Sequence, residues 1–258
     1  MTVKQQIEEY WDWRSTSYTN GATSLGEEER ELWKQSLLPY LGTGPLKVLD
    51  IGTGKGFLAL LLADMGHEVT AIDISQSMLE KAQRESTKRN LVIKFKKGDA
   101  ENLSFEDSSF DVVVSKYLLW TLPDPENTLK EWNRVLHPGG EIIAIDGNWF
   151  DPSAVKKLKR GLRKVVQAIT YRDPTTGVLR QGKFNQYYSS LHTSLPLYSN
   201  VKPESIRPLF EKAGFEDIQI DSLPLIHKYN LKNMHRLLRP LNTDTFFLIS
   251  GTSSKKEK

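Results

Sequence analysis

Residues 48–60, VLDIGTGKGFLAL, leave a chain like this little choice of architecture. Val48, Leu49 and Ile51 form a short apolar run, glycines follow at 52, 54 and 56, and a second apolar segment begins at Phe57. That succession reads as strand, tight turn, helix. Glycines in such a turn let the backbone take positive φ and come close to a ligand, while the first amides of the helix point into the same space. Residue identities exclude two ligand classes that use this device. A phosphate-cradling loop needs Gly-Lys followed by Ser or Thr, and Gly54-Lys55 is followed by Gly56. The dinucleotide fingerprint needs a small residue for close helix–strand packing, and Phe57 stands there. Asp50, at the mouth of the turn, repels a pyrophosphate and suits a ligand that carries positive charge.

The following segments repeat a strand-then-acid pattern. Residues 67–73, HEVTAID, read as a second buried strand ending in Asp73, which is 23 residues beyond Asp50. In nucleoside-binding α/β folds an acid at this place accepts hydrogen bonds from both ribose hydroxyls. A helix capped by Ser75 runs from there to Lys88. Residues 91–97 make a third strand, followed by Gly98-Asp99-Ala100, which by itself is also an ordinary turn signal. Residues 110–115, FDVVVS, have the continuous apolar character of a buried parallel strand. Lys116, Tyr117 and Trp120 lie just past its carboxyl end, where open α/β sheets hold ligands. Asp124 or Pro125 then starts a helix with Leu129, Trp132, Val135 and Leu136 on one face. Pro138-Gly139-Gly140 ends it before a fifth strand over residues 141–145.

These motifs, in this order and spacing, resemble the class I S-adenosylmethionine-dependent methyltransferases, strongly over about residues 46–147 and more loosely over 202–250. The resemblance implies a Rossmann-like, doubly wound α/β fold with a seven-stranded sheet whose last strand is antiparallel. It implies S-adenosylmethionine as cofactor, with S-adenosylhomocysteine as product. Asp50, Gly52, Thr53 and Gly54 would surround the amino-acid end, Asp73 the ribose, Ile74 and Met78 the adenine faces. Asp99 would meet the adenine amino group and the Ala100 amide a ring nitrogen, with Lys116 closing the pocket. The Asn/Asp-Pro-Pro-aromatic motif of amino-methylating nucleic-acid enzymes is absent: Ser115-Lys116-Tyr117-Leu118 stands in its place.

Composition bounds the rest. At 258 residues, 38% hydrophobic and 26% charged, the chain has the makeup of a soluble globular protein, and with no cysteine it has neither disulfides nor thiolate metal sites. The N-terminus lacks an apolar core and cleavage site, so the expected location is cytoplasmic. Residues 1–150 carry 16 basic against 23 acidic side chains, whereas residues 151–240 carry 16 against 7. That basic excess is either a solvated face or a feature for an anionic acceptor. It also keeps an RNA substrate open, although no RNA-binding module is present and the isoelectric point of about 8.8 is not strongly basic. His227 and His235 stand eight apart with no carboxylate pattern between them, and no metal site is expected.

Three segments fall outside the core motifs. Residues 1–45 are expected to be a helical lid on a methyltransferase domain spanning 46–250. Tyr10, Trp11, Trp13 and Tyr18 crowd four aromatics into nine residues before the break at Asn20-Gly21, and Arg14 or Tyr18 is the expected partner of the methionine carboxylate. Insertions are expected at about 149–201 and 223–243, and residues 251–258 as a disordered tail. In the first insertion Val155, Leu158, Leu162, Val165, Val166 and Ile169 make a helical stripe opposite Lys156, Lys157, Lys159, Arg160, Arg163 and Lys164. Trp120, Asn148 and Trp149 are candidate substrate contacts, and His192 or Asp146 a general base if the acceptor atom is protonated. The expected reaction is in-line methyl transfer to a small molecule. Transfer of another group of the same cofactor, or cofactor binding without turnover, stays open.

Overall fold

The computed structural model describes residues 1–18, 26–42, 44–171, 184, 187–188, 191–243 and 246–255. Helices α1 (Val3–Arg14) and α2 (Glu27–Leu41) precede a core that alternates strand and helix. Its elements are β1 (Lys47–Ile51), α3 (Phe57–Asp64), β2 (Glu68–Asp73), α4 (Gln76–Lys88), β3 (Ile93–Lys97), β4 (Phe110–Lys116), α5 (Pro125–Val135) and β5 (Leu136–Gly147). After α6 (Ala154–Tyr171) come α7 (Pro203–Lys212), β6 (Phe215–Asp221), α8 (Pro224–Asn233) and β7 (Phe246–Ser253). The strands form one sheet in the order β3-β2-β1-β4-β5-β7-β6, parallel except that β7 runs antiparallel to both its neighbours. This is the expected Rossmann-like, doubly wound arrangement. The order reverses between β1 and β4, and that switch point opens a crevice outside the carboxyl ends of the strands.

Alternation along each strand sends side chains to two cores. Leu49, Ile51, Val113, Ile142 and Ala144 pack on one side with Trp132 of α5 and Phe210 of α7. Val48, Val112, Val114, Ile143 and Ile145 pack on the other with Trp33 of α2 and the leucines of α3. The central strands β1, β4 and β5 are therefore covered on both faces and read as apolar runs, whereas the edge strands β3 and β6 carry exposed charged side chains.

Two boundaries differ from expectation. β5 begins at Leu136, not Glu141, because Pro138-Gly139-Gly140 forms an irregularity inside the strand: Phe110 pairs with Leu136 and Val112 with Glu141. Gly140 is required there, since a Cβ would stand 2.9 Å from the Asp111 carbonyl oxygen and 3.0 Å from that of His137. At the other end β7 runs to Ser253, so residues 251–253 are not tail: Gly251 pairs with Ile142, Thr252 with Glu141 and Glu216, and Ser253 with Phe215. Backbone pairing on both sides holds them whatever their side chains. The Asn20-Gly21 break, most of residues 171–190 and the last three residues lie outside the described residues. No described helix is long and apolar enough to cross a membrane.

Candidate active site

The glycine turn has the conformation its sequence demands. Gly52, Gly54 and Gly56 have φ of +68°, +55° and +83°. A side chain at position 52 would be strained by the positive φ, and its Cβ, 2.9 Å from the Leu118 methyls, would push that side chain aside. Asp50 and Asp73 hold this turn from two sides. The Asp50 carboxylate accepts hydrogen bonds from Thr53 Oγ1 at 2.6 Å and from the Ala59 amide of α3 at 3.0 Å. Thr53 in turn donates its amide to the Ile72 carbonyl at 2.9 Å. Asp73 accepts from the Gly54 amide and the Ser75 amide, both at 2.8 Å. Burial pushes these carboxyls up, Asp50 to about 7 and Asp73 to about 6.

Beside the turn lies a cleft lined by Tyr18, Gly52, Gly54, Asp73, Ile74, Met78, Asp99, Ala100 and Lys116, together with α1. Nine residues singled out in the sequence thus share one cavity. Asp50 and Thr53 line a smaller adjoining recess with Lys55, Phe57 and again Lys116. The far end of the cleft is built by Asp99, which accepts from the Glu101 amide at 2.9 Å, and by Ala100, whose carbonyl accepts from Trp132 Nε1 at 2.8 Å. Lys4 of α1 reaches this end and pairs with Asp99 at 2.5 Å and Glu101 at 2.6 Å.

Lys116 sits at the end of β4 among ring faces, its Nζ 3.8 Å from the Tyr117 centroid, 4.0 Å from Phe57 and 5.7 Å from Trp33. Desolvation lowers its ammonium to about 7, against the opposing pull of Glu29, Asp146 and Asp50. Tyr117 next to it has φ of +61°, an uncommon value for a residue with a side chain and a form of strain that concentrates at functional sites.

The remaining candidates are placed differently. Trp120 is buried in an aromatic group that unites α1 with the first insertion: Tyr10 lies 4.9 Å from Tyr188, Trp120 is 5.1 Å from Tyr188 and 5.2 Å from Phe150, and Phe150 stacks on Tyr198 at 4.4 Å. Trp11, which lines the cleft, is 6.4 Å from Trp120. The aromatic crowding of α1 was legible, but its partners at 150–198 lie well over a hundred residues away and no local signal couples them. Asp146 is enclosed at the end of β5, where Oδ1 accepts from the Gly147 amide at 2.7 Å and from Trp149 Nε1 at 2.9 Å, and burial lifts it to about 7. Asn148 is buried and donates to Asp151, 3.3 Å away, and it lines a separate surface pocket with Lys156 and Phe247. Trp149 packs edge-on to Tyr117 at 4.7 Å. Arg14 donates to Ser17 Oγ at 2.7 Å with its guanidinium 5.5 Å from the Tyr18 ring. Arg14 and His192 are not among the residues that line the cleft. His192 is exposed on a short turn with its ring 6.3 Å from Tyr198. Among the described residues no cluster of three or more His, Asp or Glu has the arrangement of a metal site.

A glycine turn at the switch point of this sheet, with acids at the ends of β1, β2 and β3, defines a nucleoside-binding α/β enzyme. Comparison with known proteins narrows the class. Residues 49–144 match a family model described as a methyltransferase domain. Demethylmenaquinone methyltransferase of Staphylococcus haemolyticus is 33% identical over 224 residues, spanning 85% of this chain and 89% of that protein. Among solved structures, the PH0226 protein of Pyrococcus horikoshii aligns with a TM-score of 0.59 at 21% identity over 92% of this chain and 95% of its own. The [4+2]-cyclase SpnF aligns at 0.63 with 16% identity over 98% and 97%, a likeness of fold alone. The chain belongs to the class I S-adenosylmethionine-dependent methyltransferases and is a methyltransferase.

Proposed function

We propose that the cleft holds S-adenosylmethionine and that its methyl group passes in line to a small, ring-containing acceptor. The observation that carries this reading is the aromatic wall formed by Trp11 with Trp120, Tyr188 and Phe150 behind it, next to the turn that would hold the methionine end. Such a wall offers flat faces for stacking and excludes water from a sulfonium, which already makes the methyl electrophilic. The name of the Staphylococcus relatives, demethylmenaquinone methyltransferase, also points to a quinone-type ring. An anionic acceptor is the second reading and rests on the basic excess of residues 151–240. The cleft argues for the first: Lys4 is paired with two carboxylates and Lys116 is only partly charged near neutral pH.

Of the two candidate bases, His192 has an exposed ring beside the aromatic stack, whereas Asp146 is fully buried with Oδ1 held by the Gly147 amide and Trp149 Nε1. We assign His192 to proton removal if the acceptor is a hydroxyl. Transfer of labelled methyl to a hydroxylated naphthalene ring, set against a phosphorylated small amine, tests the acceptor class. Trp11→Ala should raise KM for the ring about tenfold by removing stacking area, and His192→Gln should lower kcat without changing cofactor affinity. Methyl appearing only on the phosphorylated compound would overturn the ring reading. Labelled cofactor that yields no methylated product with any acceptor would favour transfer of another group or binding without turnover.

We further propose that α1 closes the cleft. Ile7 and Tyr10 seat it in the core, and polar contacts hold it alongside: Asp12 accepts from Ser75 Oγ at 2.6 Å and from the Ser77 amide at 3.1 Å, capping α4 from outside its own chain segment. Lys81 donates to Ser15 Oγ at 2.7 Å, Lys97 pairs with Glu8 at 2.6 Å, and Lys55 donates to the Tyr18 carbonyl. Only Ile7 and Tyr10 of this helix are fully buried. Polar ties at or near the surface are individually weak, so opening the helix costs chiefly the burial of Ile7 and Tyr10. Hydrogen exchange over residues 3–18 should slow when S-adenosylhomocysteine is added; equal protection with and without it would show a permanently docked helix.

A further inference from the structure

A surface helix ordinarily buries its apolar stripe and turns its charged side to water. In α6 the arrangement is reversed. Val155, Leu158, Leu162 and Val165, spaced to lie along one side of the helix, are 65%, 65%, 47% and 57% exposed. Lys156, Arg160 and Arg163, on the other side, are half-buried. The basic side is what fastens the helix to the body: Lys156 pairs with Asp151 at 3.1 Å and Arg160 donates to the Asp151 carbonyl at 2.6 Å. Lys157 and Lys164 remain exposed, and Lys159, beside the stripe, is half-buried. The short helical turn Arg236–Leu241 packs against α6 and brings with it Leu237, 62% exposed, and the exposed Arg236 and Arg239.

We propose that this face docks on a membrane leaflet containing anionic lipid. The apolar stripe enters the boundary between headgroups and acyl chains, and the flanking lysines meet lipid phosphates. Charge selects this occupant. Residues 154–171 hold six basic side chains and no acidic one, so a second copy of the chain meeting the same face would bring like charge to like. Size points the same way. The four exposed residues span about 15 Å along a helix about 10 Å wide, far short of the roughly 800 Å² per partner of a stable protein interface. A bilayer sets no such threshold, because a short apolar stripe and several basic side chains add their effects.

Co-sedimentation of the whole chain with vesicles tests this, using phosphatidylcholine alone and with about 30% phosphatidylglycerol. Binding should appear only with the anionic vesicles and fall steeply with salt. The pair Leu158→Glu and Leu162→Glu should weaken it at least about tenfold, and Lys157→Gln with Lys164→Gln roughly thirtyfold. Both variants should keep the thermal midpoint and cofactor affinity of the parent, since the altered side chains are exposed. No binding to anionic vesicles overturns the proposal. So does binding that survives the leucine changes, which is adsorption by charge alone. A lowered midpoint in the Leu→Glu pair would mean that the stripe is covered within the chain. A concentration-dependent dimer that this pair abolishes, without lipid binding, would assign the face to a second copy.

Discussion

Asp73→Ala is expected to weaken S-adenosylmethionine binding by about 1.5–3 kcal/mol, a factor of roughly ten to a hundred, because a charged acceptor for the ribose hydroxyls is lost. Each Asp73 oxygen already accepts one backbone amide, from Gly54 or Ser75, and a carboxylate oxygen has a second lone pair left for a hydroxyl. The same change leaves those two amides without their acceptor, so the apo protein should also lose about 1–3 kcal/mol of stability. Titration gives a second handle with a definite sign. Burial raises Asp73 from its ordinary value to about 6. Its contribution to apo stability is therefore fully present below the unfolded pKa of about 4 and is lost as pH rises through about 6. Cofactor affinity should move the opposite way, rising between pH 5 and 7 as the carboxylate form fills. Calorimetry that finds the affinity of Asp73→Ala equal to the parent's at pH 7 would sink the assignment of this residue to the ribose.

Trp132→Ala should destabilise the fold by about 3–5 kcal/mol, a large part of the 5–15 kcal/mol that holds a typical domain together. The indole is wholly buried between α5 and the sheet, and its Nε1 supplies the hydrogen bond to the Ala100 carbonyl. Truncation opens a cavity and also orphans that carbonyl. Trp132→Phe separates the two effects, keeping most of the apolar volume while losing the donor, at a cost of about 1 kcal/mol. Because Ala100 forms the far end of the cleft, the Phe variant should also bind cofactor a few-fold more weakly. Urea denaturation of the three proteins at one pH measures the stabilities. A midpoint for Trp132→Ala within error of the parent would show that the α5 face contributes little.

What could be read from the chain follows from how local each signal is. The glycine turn needs positive φ at 52, 54 and 56, and all three have it. Ser75 was legible as a cap and accepts the Met78 amide at 3.1 Å. The acids at the ends of β1, β2 and β3 were placed by strand patterning alone, and Asp73 and Asp99 do line one cleft. The Pro138-Gly139-Gly140 signal was read as a stop between helix and strand. It is an irregularity within β5, because the strand's partner β4 continues alongside it.

Tertiary structure decided what sequence periodicity leaves open. Periodicity groups the residues that share a face of α6 but does not say which way the face points; the anchoring of Lys156 and Arg160 to Asp151 turns the apolar stripe outward. It likewise marks Asp50 and Asp146 as acids at strand ends without saying whether their oxygens meet a ligand. In each, one oxygen is taken by amides and side chains of the protein itself, Oδ2 of Asp50 and Oδ1 of Asp146, while Asp146 Oδ2 is buried without a hydrogen-bond partner among the described residues. The contacts that set α1 beside the cleft join residues far apart in the chain, Asp12 with Ser75 and Ser77, Lys4 with Asp99, Tyr10 with Tyr188. A local signal records the conformation a residue needs; which distant group will stand opposite its side chain is set only when the sheet has formed and the helices have packed upon it.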